Sequence, residues 1–552
     1  MSQQFDVTVG GLLDLMAERY PANEALVYHE RGLRYSYREF NEVCRKVAKG
    51  LLRMGIRKGD AVSIWAYNVP EWVILQFATA KIGAVLVTVN TSYKSTELEY
   101  ILNQSDSTTL FMVKSFKGSD YVQTICDVVP ELACSQAGNL ECPKLPHLKN
   151  VVFIGDDIPA GMLGFTSIIE QASAVSDAEL AAVESTLDCH ETINMQYTSG
   201  TTGFPKGVML SHFNVINNGF NIGECMKFTE NDRLCIPVPF FHCFGCVLGV
   251  MVCVTHGSTM VPVEIFDPLK VLQTIEKERC TAVHGVPTMF IAELEHPEFK
   301  NFDLSSMRTG IMAGSVCPIE VMKRAVKDMH VTEITSVYGQ TEASPGITQT
   351  RAEDSIELRV ATVGRALPGA EVKIIDIESG ATLPPGKQGE LCARGYMVMK
   401  GYYKMPEETA KVIDTDGWLH TGDLAIMDEN GYCKITGRIK QMIIRGGENI
   451  YPREIEEFLY THPKVSDVQI YGVPDRKFGE QVMAAIILKS GMEMSEDEVR
   501  EFCRGRIANY KVPKYVKFVD SYPMTASGKI QKFKMRDMAI KELQLDEAGL
   551  PA

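Results

Sequence analysis

No uninterrupted apolar run in this 552-residue chain reaches the roughly 18 to 20 residues that a membrane span needs. A surplus of positive charge is also lacking. The net charge of −14 argues against broad binding to nucleic acid or anionic lipid, because like charges repel. It leaves room for a small anionic ligand held by a local cluster of amides, one or two cations and a divalent metal. Disulfide spacing is missing too. The 15 cysteines are scattered, and no basic segment followed by an apolar run opens the chain at "MSQQFDVTVG". Reduced thiols in a cytoplasmic protein are therefore expected. Cys243 and Cys246 in "HCFGCVLGVMVC" do have metal or redox spacing. The run around them is apolar and no second pair stands near, so they read as buried structural thiols. The ending "EAGLPA" carries no lipidation or peroxisomal signal, and the chain has no short-period repeat or low-complexity tract.

What is present is ordinary globular composition, 45% hydrophobic and 23% charged, in a chain long enough for about two to four domains. Thr8 caps an opening helix with Leu12, Leu13 and Met16 on one face, stopped by Pro21. "DAVSIWAYN" and "AVLVTVN" read as buried strands, with "PEWVILQFATAKIG" as the helix between them. "RLCIPVPF", "DPLKVLQTIEKERC" and "TAVHGVP" repeat that strand–helix–strand rhythm. The fold class is α/β, with helix-covered sheets in a large N-terminal domain. After about residue 360, "EVKIIDIESGATLPPGKQGELCARG" alternates apolar and polar residues around turns, as a small antiparallel region does. "GRIKQMIIRGGENIYPREIEEFL" then joins a strand, a Gly pair and a helix starting near Pro452, and the remainder forms a compact α+β unit. The expected division is 1–437, a hinge at 438–441, and 442–552.

Four stretches carry chemistry-bearing residues. "YTSGTTGFPKG", after the short strand "INMQY", fails the Walker spacing because Lys206 precedes Gly207 and follows Pro205. It still offers the hydroxyls of Thr198, Ser199, Thr201 and Thr202, free backbone N–H groups and one ammonium, which suit a polyphosphate. An ordinary surface turn would read the same. In "SVYGQTEAS" an aromatic, a hydroxyl and a carboxylate could stack on a base, contact phosphate and hold Mg²⁺; a strand end with a solvated Glu is the plainer alternative. "WLHTGDLAIMDENGYCKITGRIK" contains Asp423 and Arg438, able to hold ribose hydroxyls or a phosphate, or simply to decorate a hairpin. "PMTASGKIQKF" puts Lys529 after a Ser-Gly turn, as a deliverable charge or a surface lysine.

Taken together and in this order, with "RGGENIYP", these motifs resemble the adenylate-forming superfamily of acyl-CoA synthetases, luciferases and peptide-synthetase adenylation domains, over roughly Thr8 to Lys534. The resemblance implies an AMP-forming carboxylate–CoA ligase with a mobile C-terminal lid. A carboxylate attacks the α-phosphate of ATP, and the thiol of CoA then displaces AMP from the acyl-adenylate. It implies that Thr198, Ser199, Gly200, Thr201, Thr202, Gly203 and Lys206 close over the β- and γ-phosphates. Gly314 and Ser315 would border the adenine and Tyr338 would stack on it, next to Gly339 and Gln340. Thr341 would contact the α-phosphate, Glu342 would hold Mg²⁺, and Asp423 and Arg438 would bind the ribose. Lys529 would bridge carboxylate and α-phosphate as a positioned charge during adenylation only. Lys440 occupies the hinge position, and Arg445, Gly446 and Gly447 the CoA path. Gln441 departs from the acidic residue that relatives commonly carry after the hinge.

Acetate-specific relatives place a tryptophan where this chain has Gly339, so a bulkier acyl group is implied. Phe241, His242, Val286, Gly310, Met312 and Gly339 are the pocket candidates. Their apolar character favours a medium-chain, alicyclic or aryl acid, with a short-chain acid as alternative. No Asp stands in "PVPFFH" to bind an α-ammonium, which disfavours amino acids. Loading of a carrier protein, and a nucleotide-binding module without turnover, are the competing functions. ATP, CoA and a small carboxylate are the expected partners, and a homodimer is compatible with the sequence.

Overall fold

The helix Val9–Arg19 begins where the Thr8 hydroxyl accepts the Gly11 N–H at 3.1 Å, and it buries Leu12, Leu13 and Met16 as its spacing requires. It belongs to a computed structural model that describes residues 4–198, 205–314, 317, 319–446, 448–525 and 530–545. The chain divides into two compact units, residues 1–372 with 393–419, and residues 373–392 with 420–552.

Two large sheets build the first unit. One has eight strands, in the spatial order Gly401–Tyr402, Lys206–Ser211, Thr192–Thr198, Val85–Thr88, Ala61–Trp65, Ser107–Met112, Asn150–Phe153 and Leu163–Gly164. It is parallel from Thr192–Thr198 onward and antiparallel across its first three strands. The expected helix between two buried strands is Pro70–Ile82, with Pro70 at its first position and Gly83 ending it at φ +70°. All its residues except Glu71 are buried, so it shows no amphipathic period. Its Lys81, fully enclosed, is neutralised by Asp14 at 2.8 Å and Glu184 at 3.5 Å.

The second sheet has seven strands, ordered Glu333–Thr335, Thr309–Met312, Ala282–Gly285, Arg233–Ile236, Thr259–Pro262, Glu24–Tyr28 and Leu33–Ser36. All its neighbours run parallel except the last hairpin. Side chains alternate between two cores, as strand geometry requires. Leu234, Ile236, Met260, Ala282, Ile311 and Ala313 join the larger core, which also holds the residues of the eight-stranded sheet. Cys235, Val261, Val283 and Met312 point the other way, against Leu272, Phe290 and Met322 of three covering helices. The strand expected over "RLCIPVPF" stops at Ile236, because Pro237 has no N–H for the ladder.

The second unit is α+β. A four-stranded sheet runs Ala370–Ile375, Gln388–Gly395, Leu419–Met427, Cys433–Arg438. A five-stranded sheet follows, built around the long antiparallel pair Val465–Asp475 and Gly479–Leu488 and covered by helices that include Pro452–Leu459 and Glu496–Cys503. The compact units thus divide at residues 372/373, 392/393 and 419/420, whereas the sequence suggests 437/438. A hinge at 438–441 concerns motion, which a division by contacts does not address. Among the described residues no helix is long and apolar enough to cross a membrane.

Candidate active site

Strands Thr192–Thr198 and Lys206–Ser211 form a hairpin whose register pairs Thr198 with Lys206. Ser199, Gly200, Thr201, Thr202 and Gly203 lie outside the described residues, as do Ser315, Gly447 and Lys529. Lys206 is already partnered. Its ammonium pairs with the Glu408 carboxylate and lies 4.9 Å from the centroid of the Tyr402 ring. Lys206, then Lys411, holds the Glu408 carboxyl down to about 2. The Tyr402 hydroxyl donates to Glu342 Oε1 at 2.8 Å. One phenol therefore links the expected phosphate cation to the expected metal carboxylate. Burial first, then the Glu342 charge, pushes that phenol far above its ordinary value, so it remains a donor.

Tyr338 and Gly339 end the strand Val337–Gly339, which pairs antiparallel with Gly346–Gln349. Gln340 N–H donates to the Pro345 carbonyl at 2.9 Å, and a single turn, Thr341–Ala343, follows. The Met399 N–H donates to the Glu342 carbonyl at 2.9 Å and fixes that turn. A Cβ on Gly339 would lie 1.7 Å from the Pro345 carbonyl oxygen, so close backbone approach by itself requires a glycine here, apart from the acyl-group space expected of it. Glu342 supplies hard carboxylate oxygens beside the Thr341 hydroxyl. Mg²⁺ usually takes one or two carboxylates together with substrate phosphates, so the donor chemistry fits it.

Gly314, at φ +88°, stands beside Val286: a Cβ there would meet Val286 Cγ1 at 3.0 Å. The residue expected at the adenine and one expected in the acyl pocket are thus neighbours. Val286 shares its core with Ile311, Ala313 and Phe244. Met312 does not join them, because strand alternation turns it into the opposite core. Gly310 is a packing glycine, whose Cβ would lie 2.0 Å from the Val283 carbonyl oxygen. Phe241 is buried, and His242 Nδ1 accepts the Phe244 N–H at 3.1 Å, capping the helix that starts at Cys243. That helix widens into a π-helical stretch over Cys246–Met251, a form often found at functional sites. Cys243 Sγ donates to Gln196 Oε1 at 2.9 Å, and Gln196 Nε2 donates to Cys246 Sγ at 3.0 Å, so the thiol pair brackets an amide. Burial pushes the Cys246 thiol up to about 12.

His284 was not singled out by the sequence. It is buried on the Ile311 face, stacks on Phe244 with centroids 5.8 Å apart, and donates from Nε2 to the Leu248 carbonyl at 3.0 Å. Burial pulls its imidazole down to about 4, so it is neutral. The period-two alternation of "TAVHGVP" is the signal that would place it with Ala282 and Val286.

In the second unit Asp423 and Arg438 are register partners on neighbouring strands, and Arg438 Nε lies 2.6 Å from Asp423 Oδ1. The Asp423 side chain is 3% exposed. Its turn is held by Glu390, another residue the motifs do not reveal. Glu390 Oε1 accepts the Gly422 N–H at 2.9 Å while Oε2 lies 3.0 Å from His420 Nδ1. Lys440 is exposed on the turn Ile439–Gln441. Arg445 Nε donates to Gln481 Oε1 at 2.7 Å and its guanidinium stacks 4.8 Å from the Phe478 ring centroid, while Gly446 takes φ +62°.

Comparison with known proteins gives matching results. The model of the family described as AMP-binding enzyme matches residues 13–403, and that of the AMP-binding enzyme C-terminal domain matches 454–529. YngI of Bacillus subtilis (strain 168), which bears an acyl-CoA synthetase name, is 58% identical over 548 residues, covering 99% of this chain and 100% of its own. The mitochondrial medium-chain acyl-CoA ligase ACSF2 of Bos taurus is 41% identical, covering 98% and 88%. The crystal structure of the anthranilate CoA ligase AuaEII with anthranoyl-AMP superposes with a TM-score of 0.84 at 26% identity, covering 98% and 99%.

Proposed function

Because the chain belongs to the AMP-binding enzyme family, we propose that it is an AMP-forming carboxylate–CoA ligase acting on a medium-chain or ring-bearing acid. The linked set Lys206–Tyr402–Glu342 carries this reading, since it gathers a cation, a donor and a metal-binding carboxylate beside the hairpin. A carboxylate is a poor acyl donor because its leaving group would be oxide. Attack of its oxygen on the α-phosphorus of ATP expels pyrophosphate and leaves AMP as the later leaving group. That step needs charge neutralisation and in-line positioning more than acid–base chemistry.

The hairpin residues Thr198 to Lys206 hold the β- and γ-phosphates, with Lys206 exchanging Glu408 for phosphate oxygen. Thr341 contacts the α-phosphate. Glu342, oriented by Tyr402, would hold Mg²⁺, which when bound neutralises phosphate charge. Gly314, Ser315 and Tyr338 border the adenine, and Asp423 with Arg438 takes the ribose. Lys529 stabilises the attack and leaves for the second step, in which the CoA thiolate adds to the acyl carbon and AMP departs. Lys440 is the pivot, and Arg445 to Gly447 line the CoA path. Val286, Ile311, Ala313, Phe241 and His242 line the acyl pocket. The relatives named for medium-chain and anthranilate substrates favour this size range. Absence of a membrane-crossing helix among the described residues is compatible with work on dissolved acids in the cytoplasm.

The test is a kcat/KM series from acetate to long-chain and cyclic acids, reading AMP, pyrophosphate and CoA thioester. A maximum at medium-chain or ring-bearing acids is expected. AMP release without thioester on free CoA would turn the reading to carrier loading, and no AMP with any acid would make the chain a binding module.

A further inference from the structure

The helix Ser95–Gln104 has no place in the reaction as described, yet two of its residues reach both ends of the hairpin. Tyr100 and Gln104 are four apart and so share one helix face. Tyr100 Oη donates to the Pro205 carbonyl at 3.1 Å, one residue before Lys206. The Tyr197 hydroxyl, one residue before Thr198, donates to Gln104 Oε1. Gln104 Nε2 donates to the Tyr403 carbonyl at 2.8 Å, and the Tyr403 N–H donates on to the Gly207 carbonyl at 2.8 Å. Tyr403 follows Tyr402, whose ring carries Lys206 and whose hydroxyl carries Glu342.

We propose that Tyr100 and Gln104 are positioning residues for adenylation, fixing the two hairpin ends and the Tyr402–Tyr403 segment so that Lys206 and Glu342 are held in register for the phosphates. The inference rests on the ligase reading above. The chemistry of the contacts selects an amide at residue 104. One partner, the half-buried Tyr197 hydroxyl, is a donor and the other, the Tyr403 carbonyl, is an acceptor. An amide satisfies both at once. A carboxylate could accept from Tyr197 but not donate to Tyr403, and an apolar side chain does neither. Pro205 has no N–H, so its carbonyl is its one backbone hydrogen-bonding group, and Tyr100 occupies it.

Contacts that merely stabilised the fold would affect both half-reactions alike. Contacts that position the phosphate-binding groups affect adenylation alone, because thiol attack on a preformed acyl-adenylate involves no pyrophosphate. The test uses the full chain with Tyr100→Phe, Gln104→Leu, Tyr197→Phe and the double variant Gln104→Leu/Tyr197→Phe. Acid-dependent ATP–pyrophosphate exchange and thioester formation from supplied acyl-AMP and CoA are measured on each. Tyr100→Phe, Gln104→Leu and Tyr197→Phe should each lower kcat/KM for ATP in exchange by about tenfold. The double variant should be no worse than the poorer single one, because both delete the same link. Thioester formation should stay within about twofold of wild type. If Gln104→Leu is insoluble, the two Tyr→Phe variants, each lacking one oxygen, decide the matter. Unchanged exchange, equal losses in both steps, or multiplicative losses in the double variant would overturn the proposal. A wild-type chain without exchange would overturn the ligase reading instead, which is a separate result.

Discussion

At Tyr402 one side chain serves two neighbours by different physics. The ring face attracts the Lys206 ammonium at 4.9 Å, an effect of about 0.5–1 kcal/mol where solvent still reaches the cation. The hydroxyl, kept protonated by burial, orients the Glu342 carboxylate at 2.8 Å. Tyr402→Phe separates the two, since it keeps the ring and deletes the donor. Pyrophosphate exchange should fall about tenfold while thioester formation from supplied acyl-AMP holds. Exchange at the wild-type rate would remove Tyr402 from the account. Gly339 makes a steric argument of the same kind. With the Pro345 carbonyl oxygen 1.7 Å from where a Cβ would sit, Gly339→Ala must push the strand end or the Ser344–Pro345 turn aside. A stability loss of about 1–3 kcal/mol is expected in denaturant unfolding. A variant as stable as wild type would show that the turn yields freely.

At the scale of the element, the strand Thr309–Met312 sends its side chains into two different cores, and only one of them holds the proposed acyl pocket. Ile311 faces Val286 and Phe244, whereas Met312 faces Leu272, Phe290 and Met322. Ile311→Phe should therefore move the acid-length optimum toward shorter chains by about one or two methylenes, each worth ~0.8 kcal/mol of burial. Met312→Leu, a near-isosteric change in the other core, should leave that optimum unmoved. A reversed outcome, read from kcat/KM across the acid series, would mean the strand faces are misassigned. Elements defined by local chemistry were legible beforehand: Thr8 as a cap, Pro70 and Gly83 bounding a helix, and Asp423 with Arg438 on a hairpin. Small size at Gly310 suggested a pocket, but its glycine answers to the Val283 carbonyl. Gln104, Glu390 and Tyr402 were not legible, because each has an ordinary side chain given its role by a distant partner. Gln104 and Tyr403 are 299 residues apart, and no local pattern encodes that meeting.

For the molecule as a whole, the proposal that the turn Ile439–Gln441 is the pivot between half-reactions predicts a one-sided defect. Proline at residue 440 fixes φ near −65°, within the range of the tight turn present here. Lys440→Pro should keep pyrophosphate exchange and lose thioester formation by tenfold or more, on the order of 1.4 kcal/mol. Retained thioester formation would exclude residue 440 as the pivot. Three buried groups add a pH signature of their own to global stability. His212, whose Nδ1 accepts the Val9 N–H at 3.0 Å, and His284 are both pulled from 6.5 to about 4 by burial. The unfolded chain binds their protons more readily, so their contribution is complete above about pH 6.5 and is lost as pH falls through 4. Glu293 acts in the opposite sense. Burial raises its carboxyl from 4.5 to about 8, and its Oε2 has no hydrogen-bond partner. Its contribution is present below 4.5 and is lost as pH rises through 8. Between 4.5 and 6.5 two imidazoles outweigh one carboxyl, and above that the carboxyl acts alone, so these groups together place maximal stability near about pH 6.5. Glu293→Gln removes the charge that must form at high pH. Its melting temperature should exceed that of wild type at pH 8.5 by the equivalent of about 1–3 kcal/mol and lose that advantage at pH 5. Parallel melting curves across that interval would show that Glu293 does not titrate with unfolding.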